Sequence, residues 1–418
     1  MNILWITNIT FPEAIIKLRG EGVLKSSGGW MLGAAEALVQ HEDIDLTVAS
    51  LSCDVENLTF VKGEQISYYL LPYGKGNLKY NKEYESCWKI INDKIKPDVV
   101  HIHGTEYSHG LAYVNACGAA KVVVSIQGLV SAVADYYCYG LSLRDIVSNI
   151  TLLDLVQSPI FYEKRLMKKR GELEKLLLKK VNHVIGRTNW DKSRVWGINQ
   201  DVKYHFCNEI LRNEFYEEPN WQYDKCQKHT IFMSQASYSI KGLHQLLKAM
   251  PLILKDYPDT KIIISGHDIT KPHYLKGFIP SISGYGKIIS KLIHTLNLSG
   301  CVNFVGSLNA TRMKEEYLNC NVFVCPSSIE NSPNSLGEAQ LLGTPCVCSY
   351  AGGIPSMMNG DEGHLYRFEE FTMLASLICD VFSKKGNIHS MKEVARVRHD
   401  KIINSKQLID IYKIVYNS

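Results

Sequence analysis

The chain has 418 residues, more than one hydrophobic core usually holds, so we expect two domains. Hydrophobic residues make up 45% of it and charged residues 21%, the proportions of an ordinary globular protein. A formal net charge of +4 is small for this length and does not indicate a nucleic-acid partner.

The cysteines and the N-terminus bear on the compartment. Twelve cysteines are scattered without a repeated spacing, so the sequence predicts neither a disulfide framework nor a zinc site. No run approaches the roughly 18 apolar residues of a membrane span. The first residues have the pattern of a strand and lack the basic start and long apolar core of a signal peptide. We therefore expect a cytosolic protein.

Short apolar runs alternate with helical periodicity through the first half of the chain, which is the pattern of a doubly wound parallel sheet. The predicted strands of this half are residues 3–7, 46–50, 99–103, 122–126 and 184–186. The predicted helices are residues 31–39, 84–95 and 166–178.

The second half repeats this pattern. Its predicted strands are residues 231–233, 262–265, 302–305, 322–324 and 346–348. A polar segment that contains Pro219 separates the two halves. We therefore expect an α/β protein with domains at residues 1–205 and 229–390, a linker at 206–228 and a C-terminal helix at 391–418.

A short helix is predicted after the strand at residues 322–324. Ser332 and Pro333 have the residue types of an N-cap and a first helical position. Glu330 and Glu338 lie on either side of this helix start, where backbone N–H groups and the helix dipole favour an anion. The pattern predicts a phosphate site with acids beside it.

The two acids and their surroundings resemble the E-x7-E signature of the retaining glycosyltransferases of family four. Ser-Pro-Asn stands between Glu330 and Glu338, and Gly-Thr-Pro and Gly-Gly-Ile-Pro follow them. The resemblance implies the GT-B fold, in which two doubly wound Rossmann-like domains face each other across a cleft and a C-terminal helix crosses back to the first domain. It also implies sugar transfer from a nucleotide diphosphate sugar with retention of the anomeric configuration.

The resemblance implies roles for residues around this signature. Glu338 is expected to bind the ribose hydroxyls and Glu330 the donor sugar ring. Lys241, in a Lys-Gly pair before a predicted helix, and the glycine pair Gly28 and Gly29 are expected to contact the donor diphosphate. The loop residues expected beside the sugar are Asn331, Ser332, Pro333, Asn334 and Ser335.

Further candidates follow from the rule that ligands bind at the carboxyl ends of parallel strands. His103, Gln127 and Arg187 end or follow predicted strands of the first domain, and Gly266 follows a strand of the second. We expect His103 to face the acceptor. His101 lies on the same face of its strand, but without a third ligand the pair does not predict a zinc site.

Two positions depart from the family pattern. Ala236 stands where the family has an arginine five residues before the lysine, and Gln127 stands where it has a histidine that contacts the donor sugar. A departing nucleotide diphosphate carries more negative charge than one lysine balances, so we expect a second cation. Arg187 is the candidate, and the alternative is that it pairs with Asp191.

Two further patterns bear on metal and membrane binding. Asp43 and Asp45 form a D-x-D motif, but they precede a predicted strand at its amino end, so we expect no bound metal. Basic residues at 164–180 interleave with Leu and Met at helical spacing, which is typical of a solvated face. Such a helix can also rest on anionic lipid.

The resemblance predicts a metal-independent hexosyltransferase of surface polysaccharide or glycolipid biosynthesis. The expected donor is a UDP-linked rather than a GDP-linked sugar, with no separate cofactor, and the expected acceptor is a hydroxyl of a saccharide or lipid-linked saccharide. We expect a cytoplasmic protein, peripheral on the inner face of the membrane where the acceptor is lipid-linked. A nucleotide-sugar epimerase of the same architecture and a catalytically silent nucleotide-binding partner subunit remain open. A Rossmann dehydrogenase is disfavoured because no G-x-G-x-x-G follows the first strand.

Overall fold

The computed structural model describes residues 1–20, 29–73, 80–150, 160–275, 279–358, 363–384 and 389–418. Contacts within the chain divide it into two compact units. The first comprises Met1–Ala132, Leu166–Arg212 and His399–Ser418, and the second comprises Val133–Arg165 and Asn213–Arg398. Each unit is therefore built from stretches that are separate in the sequence.

The first unit contains one eight-stranded sheet. Its strands are β1 Asn2–Thr7, β2 Asp45–Ser52, β3 Thr59–Lys62, β4 Ser67–Pro72, β5 Val99–His103, β6 Val122–Ser125, β7 His183–Gly186 and β8 Lys203–Phe206. They lie in the order β3-β4-β2-β1-β5-β6-β7-β8, and only the β3–β4 pair is antiparallel. Strands β5, β6 and β7 are buried along their whole length, as expected for parallel strands with both faces covered.

The second unit contains a six-stranded parallel sheet and a separate two-stranded hairpin. Its strands are β9 Thr230–Met233, β10 Lys261–Ile264, β11 His273–Leu275, β12 Ile279–Ser281, β13 Val302–Phe304, β14 Val322–Cys325, β15 Cys346–Ser349 and β16 His364–Tyr366. The parallel sheet has the order β13-β10-β9-β14-β15-β16, and β11 pairs with β12.

Helices connect the strands in both units. In chain order they are α1 Pro12–Arg19, α2 Gly29–Val39, α3 Glu83–Ile95, α4 His109–Cys117, α5 Val130–Tyr136, α6 Leu143–Ser148, α7 Ile160–Lys180, α8 Asn189–Ile198, α9 Leu243–Asp256, α10 Gly284–Thr295, α11 Ala310–Asn319, α12 Asn334–Leu342, α13 Phe371–Ser383, α14 His389–Arg398 and α15 Lys401–Tyr416. In the first unit, alternate residues of β1 enter different cores: Leu4 lies in a cluster with Trp88, and Ile3 in a cluster with Tyr412. The sheet is therefore covered on both faces.

Every predicted strand is present, with ends that shift by no more than two residues. Strands β3, β8 and β16 lie at sheet edges and are not predicted by the sequence pattern, and the internal strand β4 and the pair β11 and β12 are not predicted either. Edge strands need no continuous apolar run, because part of their surface faces solvent. The side chains of β8 are partly or fully exposed, so this strand lacks the apolar signal of its neighbours.

The predicted single C-terminal helix is two helices in the structure. Helix α14 ends at Arg398, and α15 begins at Lys401. Asp400 is the N-cap of α15, since its carboxylate accepts the N–H of Ile403 at 2.8 Å. This capping bond starts a new helix. Helix α14 belongs to the second unit and α15 to the first.

Candidate functional site

An ion pair joins the loops that follow β9 and β14. The Nζ atom of Lys241 lies 2.6 Å from Oε1 of Glu330, and the hydroxyl of Ser327 donates to the same oxygen at 2.8 Å. Burial alone would lower the pKa of Lys241, but the Glu330 carboxylate raises it above its ordinary value. The ammonium therefore stays charged, and two residues that the sequence predicts to act together are in direct contact.

Gly242 allows these two loops to approach each other. Its φ is +74°, and a Cβ at this position would lie 1.7 Å from the carbonyl oxygen of Pro326. The loops are also joined by the N–H of Ser328, which donates to the carbonyl of Ile240 at 2.7 Å. Gly242 is the N-cap of α9, so Lys241 is held directly before a helix N-terminus.

The loop after β15 supports Glu330 from the other side. Gly352 has a φ of +56°, and a Cβ there would lie 1.9 Å from the carbonyl oxygen of Glu330. The N–H of Gly353 donates to that same carbonyl at 2.9 Å. The two glycines of the Gly-Gly-Ile-Pro stretch therefore fix the backbone that carries the carboxylate.

The helix after Glu330 begins later than the sequence predicts. Pro333 has φ −68° and ψ 117°, an extended conformation, and its carbonyl accepts the N–H of Leu336 at 3.0 Å. Pro333 is therefore the N-cap, and the prediction of Ser332 as N-cap is wrong. The hydroxyl of Ser332 contacts Sδ of Met357 instead. In the described part of the chain no side chain caps α12, which leaves its first amides available to an anion.

Glu338 lies in the second turn of α12 and is only 4% exposed. Asn331 is also buried, whereas Asn334 and Ser335 at the helix start are half-buried. Glu338 and Asn331 both interact with other groups of the protein. The acid of the helix is thus held inside the unit, and the residues at the helix start are accessible.

Four loops of the second unit meet at one edge of its sheet. Strands β10, β9, β14 and β15 are parallel neighbours in that order, so their carboxyl ends lie side by side. Gly266 follows β10 with a φ of +109° and lies near the Ser237 hydroxyl of the next loop. The structure therefore brings Gly266, Lys241, Glu330 and the start of α12 to one edge, as the sequence predicts.

In the first unit, a cavity of about 50 Å³ lies at the carboxyl ends of β5, β6 and β7. Among the residues that line it are His103, Gln127 and Arg187, the three candidates of this half. His103 is buried, and in the described part of the chain neither of its ring nitrogens has a hydrogen-bond partner. Burial lowers the pKa of His103 well below its usual value, so the ring is neutral. His101 instead bonds to Tyr412 and Ser125.

Arg187 pairs with an acid that the sequence does not single out. Its guanidinium forms an ion pair with Glu209, and it also donates to the carbonyl of Ile126 and to Oε1 of Gln127. Asp191 accepts the backbone N–H of Arg187 at 3.0 Å and belongs to the capping box of α8. Glu209 follows the edge strand β8, and this long-range pairing has no local sequence signal.

The remaining predicted positions add little evidence for a ligand or metal site. Gly28 lies outside the described residues, and Gly29 is the first residue of α2. Asp45 is the first residue of β2, so Asp43 and Asp45 lie at its amino end as predicted. Within the described ranges, no group of three or more His, Cys, Asp or Glu residues could hold a metal ion, and no helix is long and apolar enough to cross a membrane.

The second unit matches known sugar-transfer proteins in sequence. Residues 217–398 match the family model described as glycosyl transferases group 1. The uncharacterized glycosyltransferase YqgM of Bacillus subtilis is 26% identical over 186 residues, which are 43% of this chain and 47% of that protein. The chain spans less than half the length of the curated relatives it matches. Lys241, Glu330 and Glu338 all lie within the family match.

Solved structures match nearly the whole chain. Sucrose-phosphate synthase from Thermosynechococcus elongatus has a TM-score of 0.71 at 16% identity and covers 99% of both chains. Anabaena Alr3699/HepE in complex with UDP-glucose has a TM-score of 0.66 at 14% identity and covers 98% of this chain and 99% of the other. The predicted GT-B fold, with a parallel sheet in each of two α/β units, is confirmed.

Proposed function

We propose that this chain is a retaining glycosyltransferase that moves a hexose-type sugar from a UDP-linked donor to a hydroxyl of a saccharide or lipid-linked saccharide. The observation that carries the proposal is the Lys241–Glu330 ion pair near the uncapped start of α12. The match to group 1 glycosyl transferases and the fold shared with a UDP-glucose complex support a nucleotide-sugar donor.

Lys241 would stabilise the departing nucleotide diphosphate. A lysine ammonium has three N–H donors, and one of them is directed to Glu330, so two can reach phosphate oxygens. The amides at the start of α12 add the positive end of a helix dipole. Together these groups supply positive charge where negative charge develops, so the proposed reaction proceeds without a metal ion.

The two acids would bind the rest of the donor. Glu330 accepts a hydrogen bond from the sugar ring, and Glu338 accepts hydrogen bonds from the ribose hydroxyls. In a retaining reaction the acceptor attacks the face from which the leaving group departs, so no side chain has to act as a nucleophile. Gln127 and His103 of the first unit are proposed to contact the donor sugar and the acceptor, respectively.

Ala236 supplies no charge to this chemistry. It is buried in the core of the second unit, and the arginine that the family pattern has at this position is absent. Arg187 remains the proposed second cation, although part of its charge is balanced by Glu209.

A lipid-linked acceptor would bring the protein to the inner face of a membrane as a peripheral partner. Helix α7 supplies positive charge for such a contact, because Lys168, Lys169, Lys179 and Lys180 are exposed on it. Its residues Leu177 and Leu178 are packed in the core of the first unit, and Leu176 is exposed beside the lysines.

A screen of nucleotide sugars by thermal shift, followed by product analysis, tests the proposal. A bound donor raises the free energy of unfolding by about 2.7 kcal/mol at a hundredfold excess over its dissociation constant, so UDP-sugars should raise the melting temperature more than GDP-sugars. Proton NMR of the product should then show the anomeric configuration of the donor. An inverted anomer would contradict the retaining assignment, and release of an epimerised free donor would favour an epimerase.

A substitution at Glu338 tests the proposed nucleotide-binding site. The Glu338→Ala variant loses charged hydrogen bonds to the ribose, each of which contributes roughly 1.5 to 3 kcal/mol. We therefore expect this variant to bind UDP at least tenfold more weakly than the wild type, as measured by calorimetry. Unchanged affinity would remove Glu338 from the site. UDP binding without any transferred product would instead indicate a silent partner subunit.

A further inference from the structure

An apolar stripe is exposed on α6 and just beyond its end. Leu143 is 71% exposed, Val147 58% and Ile150 41%. Leu143 and Val147 are four positions apart on the helix, so they share one face, and Ile150 lies two residues after the helix ends. Ile146 is buried, and α6 packs against α10. The helix is therefore anchored in the second unit while the stripe stays exposed.

This stripe is presented by a well-anchored segment. A capping box closes the start of α6, with the N–H of Asp145 donating to Oγ of Ser142 at 3.0 Å. Just before it, Nε2 of His244 donates to the carbonyl of Tyr139 and Nζ of Lys248 donates to that of Gly140, both at 3.2 Å. The stripe is therefore exposed on a segment that is fixed to the folded unit by hydrogen bonds.

Exposed cations lie on α6 and on the helix that packs against it. Arg144 is exposed on α6 itself, and α10 carries exposed Lys287 and Lys291 with no acidic residue along its length. Lys248 and Lys291 lie close enough to Asp145, the acid of α6, to help its Ser142 hydrogen bond lower the pKa of that carboxyl. Exposed apolar side chains with a cationic rim are typical of proteins that lie on anionic lipid.

We infer that this surface, formed by Leu143, Val147 and Ile150 with the cations Arg144, Lys248, Lys287 and Lys291, docks on an anionic phospholipid bilayer. The apolar side chains enter the headgroup region, and the cations contact lipid phosphates. A second copy of the chain fits the surface less well, because two identical basic rims would face each other and repel. The inference rests on the proposed peripheral contact and assigns it to α6 and α10 rather than to α7.

Flotation of the full chain with lipid vesicles tests the inference. We expect binding to vesicles of phosphatidylserine mixed with phosphatidylcholine, weak binding to pure phosphatidylcholine, and loss of binding at high salt. Leu143→Ser with Val147→Ser should lower the partition coefficient by about tenfold or more. Lys287→Ala with Lys291→Ala should lower it by roughly fivefold for each cation removed.

The matched control is a second exposed apolar pair in the same unit. Val394 and Val397 of α14 are 44% and 71% exposed, and their replacement by Ser should leave vesicle binding unchanged. Binding that survives in Leu143→Ser with Val147→Ser, or is lost in the control, would overturn the inference. The inference would also be overturned if the wild type does not bind vesicles but forms a concentration-dependent dimer, and if Leu143→Ser with Val147→Ser abolishes that dimer.

Turnover separates this inference from the proposed function. With a soluble acceptor, the α6 variants should keep wild-type turnover and the wild-type melting temperature, since they alter exposed side chains. A wild type that binds vesicles but transfers no sugar would contradict the proposed function alone. A wild type that transfers sugar but ignores vesicles would contradict the inference alone.

Discussion

Lys241 is the residue on which the proposed chemistry depends most, because its ammonium is the only cation in direct contact with Glu330 among the described residues. We expect Lys241→Met to lower kcat by about a hundredfold at saturating donor, since it removes leaving-group stabilisation. Lys314→Met is the control. Lys314 is also buried in the second unit, but its ammonium donates to the carbonyls of Glu217 and Glu218.

The control variant should lose stability and keep its turnover. Steady-state rates with a soluble acceptor and denaturant unfolding of both variants provide the comparison. Near-normal turnover in Lys241→Met would exclude this lysine from the chemical step.

Arg187 has two roles to separate, a proposed contribution of positive charge to catalysis and an ion pair that stabilises the fold. Because it is buried and paired with Glu209, Arg187→Ala leaves a carboxylate without its partner, which should cost about 3–5 kcal/mol of unfolding free energy. Replacing both residues, as Arg187→Ala with Glu209→Ala, should recover much of that loss. Denaturant unfolding of the single and double variants measures the difference.

The double variant also tests the charge itself. If Arg187 stabilises the departing diphosphate, turnover should remain about a hundredfold low even where stability has recovered. Wild-type turnover in the double variant would limit Arg187 to a structural role.

At the level of elements, Gly242 is the point where the β9 and β14 loops come closest. Gly242→Ala adds a Cβ that meets the Pro326 carbonyl and requires a left-handed backbone, so we expect a loss of about 3 kcal/mol or more. Gly343 is the matched control: its φ is +77°, but nothing lies within 4 Å of the position of its Cβ. Gly343→Ala should therefore cost only about 1–2 kcal/mol.

Denaturant unfolding gives both values. The turnover of Gly242→Ala should also fall, because Lys241 moves relative to Glu330. Equal losses of stability in the two alanine variants would contradict the close approach of the loops.

Elements with a strong local signal could be predicted from the sequence, and contacts between distant segments could not. The fully buried strand Val99–His103 carries three apolar residues in the alternating strand and helix pattern, and the sequence predicts it with the ends that the structure shows. Pro333 is compatible with both the N-cap and the first helical position, and only its ψ angle decides between them. The helix predicted after Lys241 continues past Pro251 to Asp256, because packing of α9 outweighs the helix-breaking tendency of proline.

In the candidate site, too, local motifs could be predicted from the sequence and long-range pairings could not. The Lys241–Glu330 contact follows from two motifs, each of which is local, at the ends of neighbouring strands. The partner of Arg187 could not be predicted, because Glu209 lies in a segment after an edge strand that has no apolar pattern. The apolar stripe of α6 was not predicted either, since three exposed apolar residues in a short segment resemble core positions in sequence.

Buried histidines in both units make the stability of the whole molecule depend on pH. His101 and His109 belong to the first unit and His244 to the second, and all three are buried. Burial lowers the pKa of His101 and His244 to about 3 and that of His109 to about 4. Each ring is therefore neutral in the folded protein at physiological pH.

Unfolding exposes these rings to water, where histidine titrates near pH 6.5. Below about pH 6.5 and down to the folded pKa values, the unfolded chain binds more protons, so stability is full above this range and is lost as the pH falls. Each histidine contributes about 1.4 kcal/mol per pH unit, so these three alone should lower the unfolding free energy by up to about 4 kcal/mol between pH 6 and pH 5, and the lowered pKa values of His103 and His183 add to this loss. Denaturant unfolding at the two pH values measures this loss. His244→Asn should reduce the loss by up to about 1.4 kcal/mol, whereas His41→Asn, at an exposed position, should leave it unchanged. Equal losses in the wild type and His244→Asn would show that this histidine does not remain neutral in the folded protein.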